Sequence, residues 1–378
     1  MTDVLLAGDT ERVPELRHEV AVGIPDPFLY VERDGVKHAV IGSMEIPRVE
    51  EAGGIVCHPY EEFGLDELVG EGLDRGTIRL EVALRACRSL GLTSAAVPYS
   101  FPLGLADRLR AEGIELTVDQ DFFDERRRVK SAAELEGIRR AQRAAEAGMS
   151  AARELLRRAE IANGSVLLEG EPLTSERLKA AIATAFLEHG ATADEFIVSH
   201  GPQSAIGHHM GAGPIAANEP IVIDLWPRDN ESACFADMTR TFVVGEPSEE
   251  LVAWHALVKE SLDRSIAAIR AGVDGREVYD VSCEVFEEAG HPTQRTKTPG
   301  QTLEEGFFHG LGHGVGLEVH EEPGLGQIAS SALVAGDVVT VEPGLYRPDT
   351  GGCRLEDLVL VTEHGAENLT DFPYRLNP

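Results

Sequence analysis

Residues 221–242 read IVIDLWPRDNESACFADMTRTF. Two apolar, strand-like runs each carry an aspartate: Asp224 closes the first and Asp237 lies inside the second. An ionised carboxylate in an apolar strand is costly unless a cation or hydrogen-bond donors compensate it. Strand alternation puts Asp237 and Thr239 on one face. A hairpin carrying two such carboxylates can hold one metal ion between its strands and share a second. The competing reading makes both aspartates turn or edge residues.

The stretches downstream repeat the theme. Residues 309–323, HGLGHGVGLEVHEEP, pack His309, His313 and His320 into twelve positions. The spacing of His309 and His313 mimics a helical zinc pair. The glycines argue against a helix, and Gly310 stands where an H-E-x-x-H site needs a glutamate. A glycine-rich turn is expected instead, letting backbone and ligands approach closely. Glu342 ends the apolar run VVTVEPGLY, and Pro343 and Gly344 stop the strand after it. In the last strand, CRLEDLVLVT, Arg354 and Glu356 share a face, where arginine steadies carboxylates without titrating. Four carboxylates converging with one imidazole repel one another strongly, and metal ions are the simplest way to hold them. The oxygen-rich donor set favours two divalent ions, Mn²⁺ foremost, with Co²⁺, Fe²⁺ or Zn²⁺ as alternatives. Such a pair can activate water, and the remaining histidines suit proton transfer and oxyanion stabilisation.

The whole chain sets limits on the rest. Its 378 residues suffice for two domains, and 43% hydrophobic with 26% charged residues is ordinary globular composition. The net charge of −31 argues against nucleic acid and anionic membrane surfaces as partners. Five widely spaced cysteines without a CxxC point to reduced thiols in a cytoplasmic protein. The start, MTDVLLAGDTER, lacks the basic region of a signal peptide, and no stretch approaches the ~18 apolar residues of a membrane span.

Residues 1–125 alternate strand and helix signals: FLYVER and KHAVIGS as strands, TIRLEVALRACRSLG as a helix, then SAAVPYS, FPLGLADRLRAEG and IELTVD. This predicts an α/β domain with a small sheet and no nucleotide-binding loop. Residues 126–130, opening with Arg126, Arg127 and Arg128, read as a solvated linker. Ser131 and Glu134 then form a capping box that opens a long helix. From 131 to 378 the order helix, helix, strands, helix, helix, strands suggests two similar halves.

The blocks VKSAAELEGIRRA, IDLWPR…FADMTRTFVVG, HGLGHGVGLEVHE, TVEPGLY and RLEDLVLVT resemble the pita-bread metallopeptidases that cleave before proline. These are the Xaa-Pro aminopeptidases and prolidases. The resemblance covers nearly the whole chain. It implies a creatinase-like α/β N-terminal domain and an α+β pita-bread catalytic domain. The implied metal ligands are Asp224, Asp237, His313, Glu342 and Glu356, with Asp237 and Glu356 shared between two ions. Glu342 would also relay a proton, His320 would contact the substrate near the scissile bond, and His309 would line the proline side. Arg354 would sit near the shared glutamate. In SAIGHHMGAG, His208 matches the family's proton-shuttle histidine, with His209 its adjacent rival. The chain departs from the family at Trp226, where a glycine is usual. Trp226 either packs the hairpin or narrows the substrate's entrance, and Phe307 or Phe308 would wall the proline ring beside His309.

The implied activity is an Xaa-Pro aminopeptidase acting as a homodimer on peptides with proline second. Alternatives are a prolidase restricted to dipeptides, a creatinase-like or lyase relative, and a non-enzymatic interaction protein. The last two would normally have lost ligands that are present here.

Overall fold

The N-terminal unit is organised around a strand that the alternation rule does not reveal. In the computed structural model, which describes residues 2–378, β1 (Val4–Gly8) is central in a six-stranded sheet. Its neighbours are β2 (Phe28–Arg33), β3 (Val36–Ile41), β4 (Ile55–Pro59), β5 (Ser94–Val97) and β6 (Glu115–Val118), in the order β4-β3-β2-β1-β5-β6. Val4, Leu5 and Leu6 are fully buried. Both faces of β1 are covered, so its sequence is a short apolar run rather than an alternation. Leu5 packs with Val31 and Val40 on one face, while Val4 and Leu6 pack with Tyr30 and Ile41 on the other. Strands β1 to β3 run antiparallel; Asp34 and Gly35, both at positive φ, make the tight turn between β2 and β3. Strands β5 and β6 run parallel to β1 and to each other. Helices α1 (Arg75–Ser89) and α2 (Leu103–Ala111) connect them. Asp74 caps α1, its carboxylate accepting from the backbone N–H groups of Gly76 and Thr77.

The chain divides into units Met1–Arg127 and Arg128–Pro378. The arginine run is not solvated, contrary to expectation. It forms the last turn of α3 (Gln120–Arg128), and Arg127 and Arg128 are buried. Acidic partners take these cations out of water: Arg126 reaches Glu19 and Glu32, and Arg128 makes a two-pronged bond to Asp337 at 3.0 and 2.8 Å. Lys130, beyond the helix, is buried against Glu321.

The second unit opens with α4 (Ala132–Arg158), and its capping box forms from Ser131 and Glu134 as the sequence suggests. It contains two comparable halves. In the first, α4 and α5 (Ser175–Glu188) cover a sheet of β7 (Ile197–His200), β8 (Ile221–Leu225) and β9 (Met238–Phe242). Met149, Ile182, Val198 and Ile223 fill that core. In the second, α6 (Glu249–Ala268) and α7 (Gly275–Glu288) cover β10 (Gly312–Gly314), β11 (Glu321–Leu325), β12 (Val338–Val341), β13 (Gly344–Arg347), β14 (Gly351–Arg354), β15 (Asp357–Val361) and β16 (Ala366–Asn368). Val258, Phe286, Val341 and Val359 fill this core. The result is an α/β N-terminal domain followed by an α+β domain of two halves, as the resemblance implies. No helix among the described residues is long and apolar enough to cross a membrane.

Candidate metal centre

Two antiparallel ladders carry the four carboxylates, and the second is interrupted. Strand β12 pairs β15 with Val341 opposite Asp357, and β13 pairs β14 with Gly344 opposite Arg354. Carrying that register across the gap sets Glu342 opposite Glu356 and Pro343 opposite Leu355. Pro343 has no N–H to donate, so regular pairing stops there. Only a long bond from Leu355 N to Pro343 O, 3.4 Å, crosses the gap. The freed backbone of Glu356 turns to the other ladder, its N–H donating to Thr239 O at 3.0 Å. Arg354 thus ends one strand and Glu356 lies in the break before the next, rather than both lying along one strand.

In the unbroken ladder Asp224 of β8 faces Thr239 of β9. Asp237 immediately precedes β9 instead of lying within it, and its carboxyl comes within hydrogen-bonding reach of Asp224. Thr239 ties the ladders together: its hydroxyl donates to Glu356 Oε2 at 2.7 Å and accepts from Arg354 Nε at 3.2 Å. Arg354 also grips Asp224 Oδ2 at 2.5 Å.

His313 arrives on β10, a short central strand rather than the expected turn. The glycines beside it are demanded by neighbouring backbone: a Cβ on Gly312 would lie 2.1 Å from Thr340 O, and one on Gly314 2.4 Å from Glu322 O. The pairing to β11 shifts register between Gly312 and Gly314, a bulge that re-aims His313. Its Nδ1–H donates to Gly314 O at 3.1 Å. That bond leaves Nε2 as the free lone pair, 3.8 Å from Asp237 Oδ2 and 3.7 Å from Glu342 Oε1.

The five residues therefore converge, and ligand atoms of Asp237, His313 and Glu356 all lie within 4.8 Å of one another. Burial, then the charges of neighbouring carboxylates, pushes Asp237 and Glu356 well above the usual carboxylate range. Burial also raises Glu342 to about 7, with Arg354 opposing and Asp224 reinforcing the shift. Burial holds His313 down to about 4, with the nearby His320 adding to the effect. Arg354 is the single cation among four acids here. The Oδ1 atoms of Asp224 and Asp237 are buried without any hydrogen-bond partner. Orphaned carboxylate oxygens beside a neutral imidazole nitrogen fit divalent cations, and the absence of thiolates suits hard ones.

The remaining histidines surround this cluster. His320 stacks edge-on to His313, ring centroids 4.1 Å apart. His309 donates from Nδ1 to Gly310 O at 2.7 Å and accepts at Nε2 from the Tyr346 hydroxyl at 2.9 Å. Arg354 in turn donates to the Tyr346 oxygen at 3.0 Å. Burial, then the Arg354 charge, holds His309 down to about 3, so it is neutral. His320 is lowered by burial first and by His208 second, and His208 also acts on His309. His209 Nδ1, by contrast, is engaged by the Gly211 N–H at 3.0 Å.

Phe307 is fully buried with Tyr279 and Phe286 in the second core and is no wall for a ligand. Phe308 is half-buried against Tyr346, their centroids 5.0 Å apart. Trp226 is half-buried against the first core, where its ring packs the hairpin. Sequence reasoning missed Tyr346 and Arg240, which this geometry ties to the acids. Tyr346 resembles any aromatic strand residue in sequence, and nothing in MTRTF distinguishes Arg240 from an exposed arginine.

A profile of metallopeptidase family M24 matches residues 136–363. The Xaa-Pro dipeptidase of Pyrococcus furiosus is 35% identical over 219 residues, which cover 56% of this chain and 59% of that protein. The Xaa-Pro dipeptidase of Pyrococcus horikoshii is 32% identical over 292 residues, 76% of this chain and 74% of that one. The crystal structure of the prolidase from Pyrococcus horikoshii OT3 matches with a TM-score of 0.77 and 25% identity, covering all of this chain and 95% of that one. With the family profile spanning more than half its length, the chain belongs to metallopeptidase family M24.

Proposed function

We propose that the chain is a two-metal exopeptidase that hydrolyses Xaa-Pro bonds, with Xaa-Pro dipeptides as favoured substrates and longer Xaa-Pro peptides as the second reading. The observation that carries it is the cluster of Asp237, His313 and Glu356 ligand atoms, with the Oδ1 atoms of Asp224 and Asp237 buried and unpartnered. The names of two relatives, both Xaa-Pro dipeptidases, support the substrate class and favour dipeptides.

In this reading Asp224, Asp237, His313, Glu342 and Glu356 hold two divalent ions, manganese first. Bound there, the ions would polarise the peptide carbonyl and make water nucleophilic near neutral pH. The protein's own groups do the rest. His320, neutral and adjacent to His313, can donate a hydrogen bond to developing negative charge on the carbonyl oxygen. Glu342, beside the His313 ring, can carry a proton toward the leaving amine. Proline presents no N–H and a fixed ring, so it is gripped by shape. The Tyr346 and Arg354 hydrogen bonds fix His309, and Phe308 adds an apolar wall. The five free cysteines support a reducing, cytoplasmic setting, and we extend the reading to a homodimer.

The test is turnover of Ala-Pro, Ala-Pro-Ala and Ala-Ala after reconstitution with Mn²⁺, Co²⁺, Fe²⁺ or Zn²⁺. Hydrolysis of Ala-Pro, slower cleavage of the tripeptide and none of Ala-Ala is expected. Equal cleavage of Ala-Ala, or no activity with any metal, would overturn the assignment.

A further inference from the structure

Arg240 is the largest fully buried side chain among the described residues. It lies on β9 between Met238 and Phe242, both members of the first core. All five of its N–H donors are used: Nε to Pro373 O at 3.2 Å, Nη1 to Thr239 O at 2.9 Å and Glu356 O at 2.7 Å, and Nη2 to Asp357 Oδ1 at 2.9 Å and Phe372 O at 2.9 Å. Its guanidinium stacks on the Tyr374 ring at 4.5 Å. The Tyr374 hydroxyl donates to Asp357 Oδ2 at 2.5 Å, which also accepts from Asn368 at 2.7 Å.

The segment that supplies these partners joins both halves of the catalytic unit. Gln142 of α4 donates to Thr370 Oγ1 at 3.1 Å, and Asp371 N donates to Glu146 at 2.8 Å. Phe372 enters the first core, while Tyr374 and Leu376 pack against the second. Val243 N donates to Leu376 O at 2.8 Å.

A buried arginine–aspartate pair is a poor device for stability alone, because packed apolar residues of the same volume generally do as well. Such a pair does fix direction. Here Glu356 sits in the strand gap, without regular ladder bonds, and is pinned at its N–H by Thr239 O, at its carbonyl by Arg240 and at Oε2 by the Thr239 hydroxyl. We propose that Arg240, Asp357 and Tyr374 are positioning residues for the Glu356 carboxylate, so that the segment from Phe372 to Tyr374 sets metal affinity as well as stability. This rests on the two-metal reading above.

The experiment uses the full chain and four proteins: wild type, Tyr374→Phe, Arg240→Lys and, as a control for packing alone, Leu376→Ala. Mn²⁺ titration calorimetry, Tm with and without Mn²⁺, and kcat and KM on Ala-Pro are measured. Tyr374→Phe should weaken the weaker Mn²⁺ site ~10-fold, and Arg240→Lys ~100-fold, the span typical of groups that orient metal ligands. Tyr374→Phe should lower kcat with KM within about twofold, since the group is remote from substrate. Leu376→Ala should lower Tm equally in both forms and leave affinity unchanged. Tyr374→Phe removes a single oxygen, so it remains informative if Arg240→Lys fails to fold. If Tyr374→Phe matches the Leu376→Ala pattern, the residues are structural only and the proposal falls. Wild type that takes up no Mn²⁺ would overturn the two-metal reading itself, and this inference with it.

Discussion

The unbroken ladder of β8 and β9 and the broken ladder of β12–β13 with β14–β15 deliver carboxylates in different ways. Asp224 projects from a paired strand, so its backbone is fixed by register and only its side chain needs a partner, which Arg354 supplies. Glu342 and Glu356 face each other across a gap, where the regular pairing between their strands is lost. Glu356 therefore takes its anchors from outside its own ladder, from Thr239 and Arg240 of β9. A paired strand positions a ligand through neighbours in sequence, whereas a gap needs residues far away in sequence. The first kind of ligand is exposed to local mutation, and the second also to changes at a distance.

The largest expected effect comes from removing a carboxylate that clusters with His313 in the group of Asp237, His313 and Glu356. Asp237→Ala or Glu356→Ala should lower kcat/KM on Ala-Pro by ~10³-fold or more, because metal polarisation supplies several kcal/mol. A loss confined to one of the two would mean that only one ladder serves the metals.

Histidines outside the ladders should come next. His320→Ala should reduce kcat by ~10²-fold with bound metal unchanged, the range for a lost proton-transfer or oxyanion group. His208→Ala should behave in the same way. His209→Ala should stay within about threefold, since its ring is occupied by a backbone N–H. Reversal of the two neighbours would refute the choice of His208.

Acidity gives a smaller, signed effect on stability. Asp237, Glu356 and Glu342 are all raised, Glu342 to about 7, so folding of the metal-free chain favours their protonated forms. That contribution is complete below the ordinary carboxylate range, and the Glu342 part of it is lost as pH rises through about 7. Bound cations would replace the protons. The rise in Tm on adding Mn²⁺ should therefore be larger at about pH 8 than at about pH 5.5, by ~5 °C or more. An equal rise at both would show that the acids are not titrating against metal.

The smallest effect concerns Trp226, which follows Leu225, the last paired residue of the unbroken ladder. Its packing against the first core predicts that Trp226→Gly costs about 2 kcal/mol of stability. The ratio of kcat/KM for Ala-Pro over Phe-Pro should change by less than about threefold. A marked relaxation toward Phe-Pro would move Trp226 from the hairpin core to the substrate's entrance.

The sequence made the ligands easier to find than their supports. An aspartate or glutamate closing an apolar run stands out because burial of charge is costly, and that signal is local. The capping box at Ser131 and the two-half order were legible for the same reason. Strand β1 was not, because a strand covered on both faces has no alternation to detect. Arg126 to Arg128 looked solvated because their partners, Glu19, Glu32 and Asp337, are distant in sequence. The glycines around His313 suggested a turn, but the close backbones of β11 and β12 require them in a strand. Arg240 and Tyr346 escaped notice because only the fold brings their partners to them.

In the proposed function, one unbroken and one broken ladder together build one two-ion site. The most direct measurement is Mn²⁺ titration of the metal-free wild-type chain and of Glu356→Ala, followed by metal analysis of both. The account predicts two equivalents for wild type and one or none for Glu356→Ala. Two equivalents retained in Glu356→Ala, or none taken up by wild type, would contradict it.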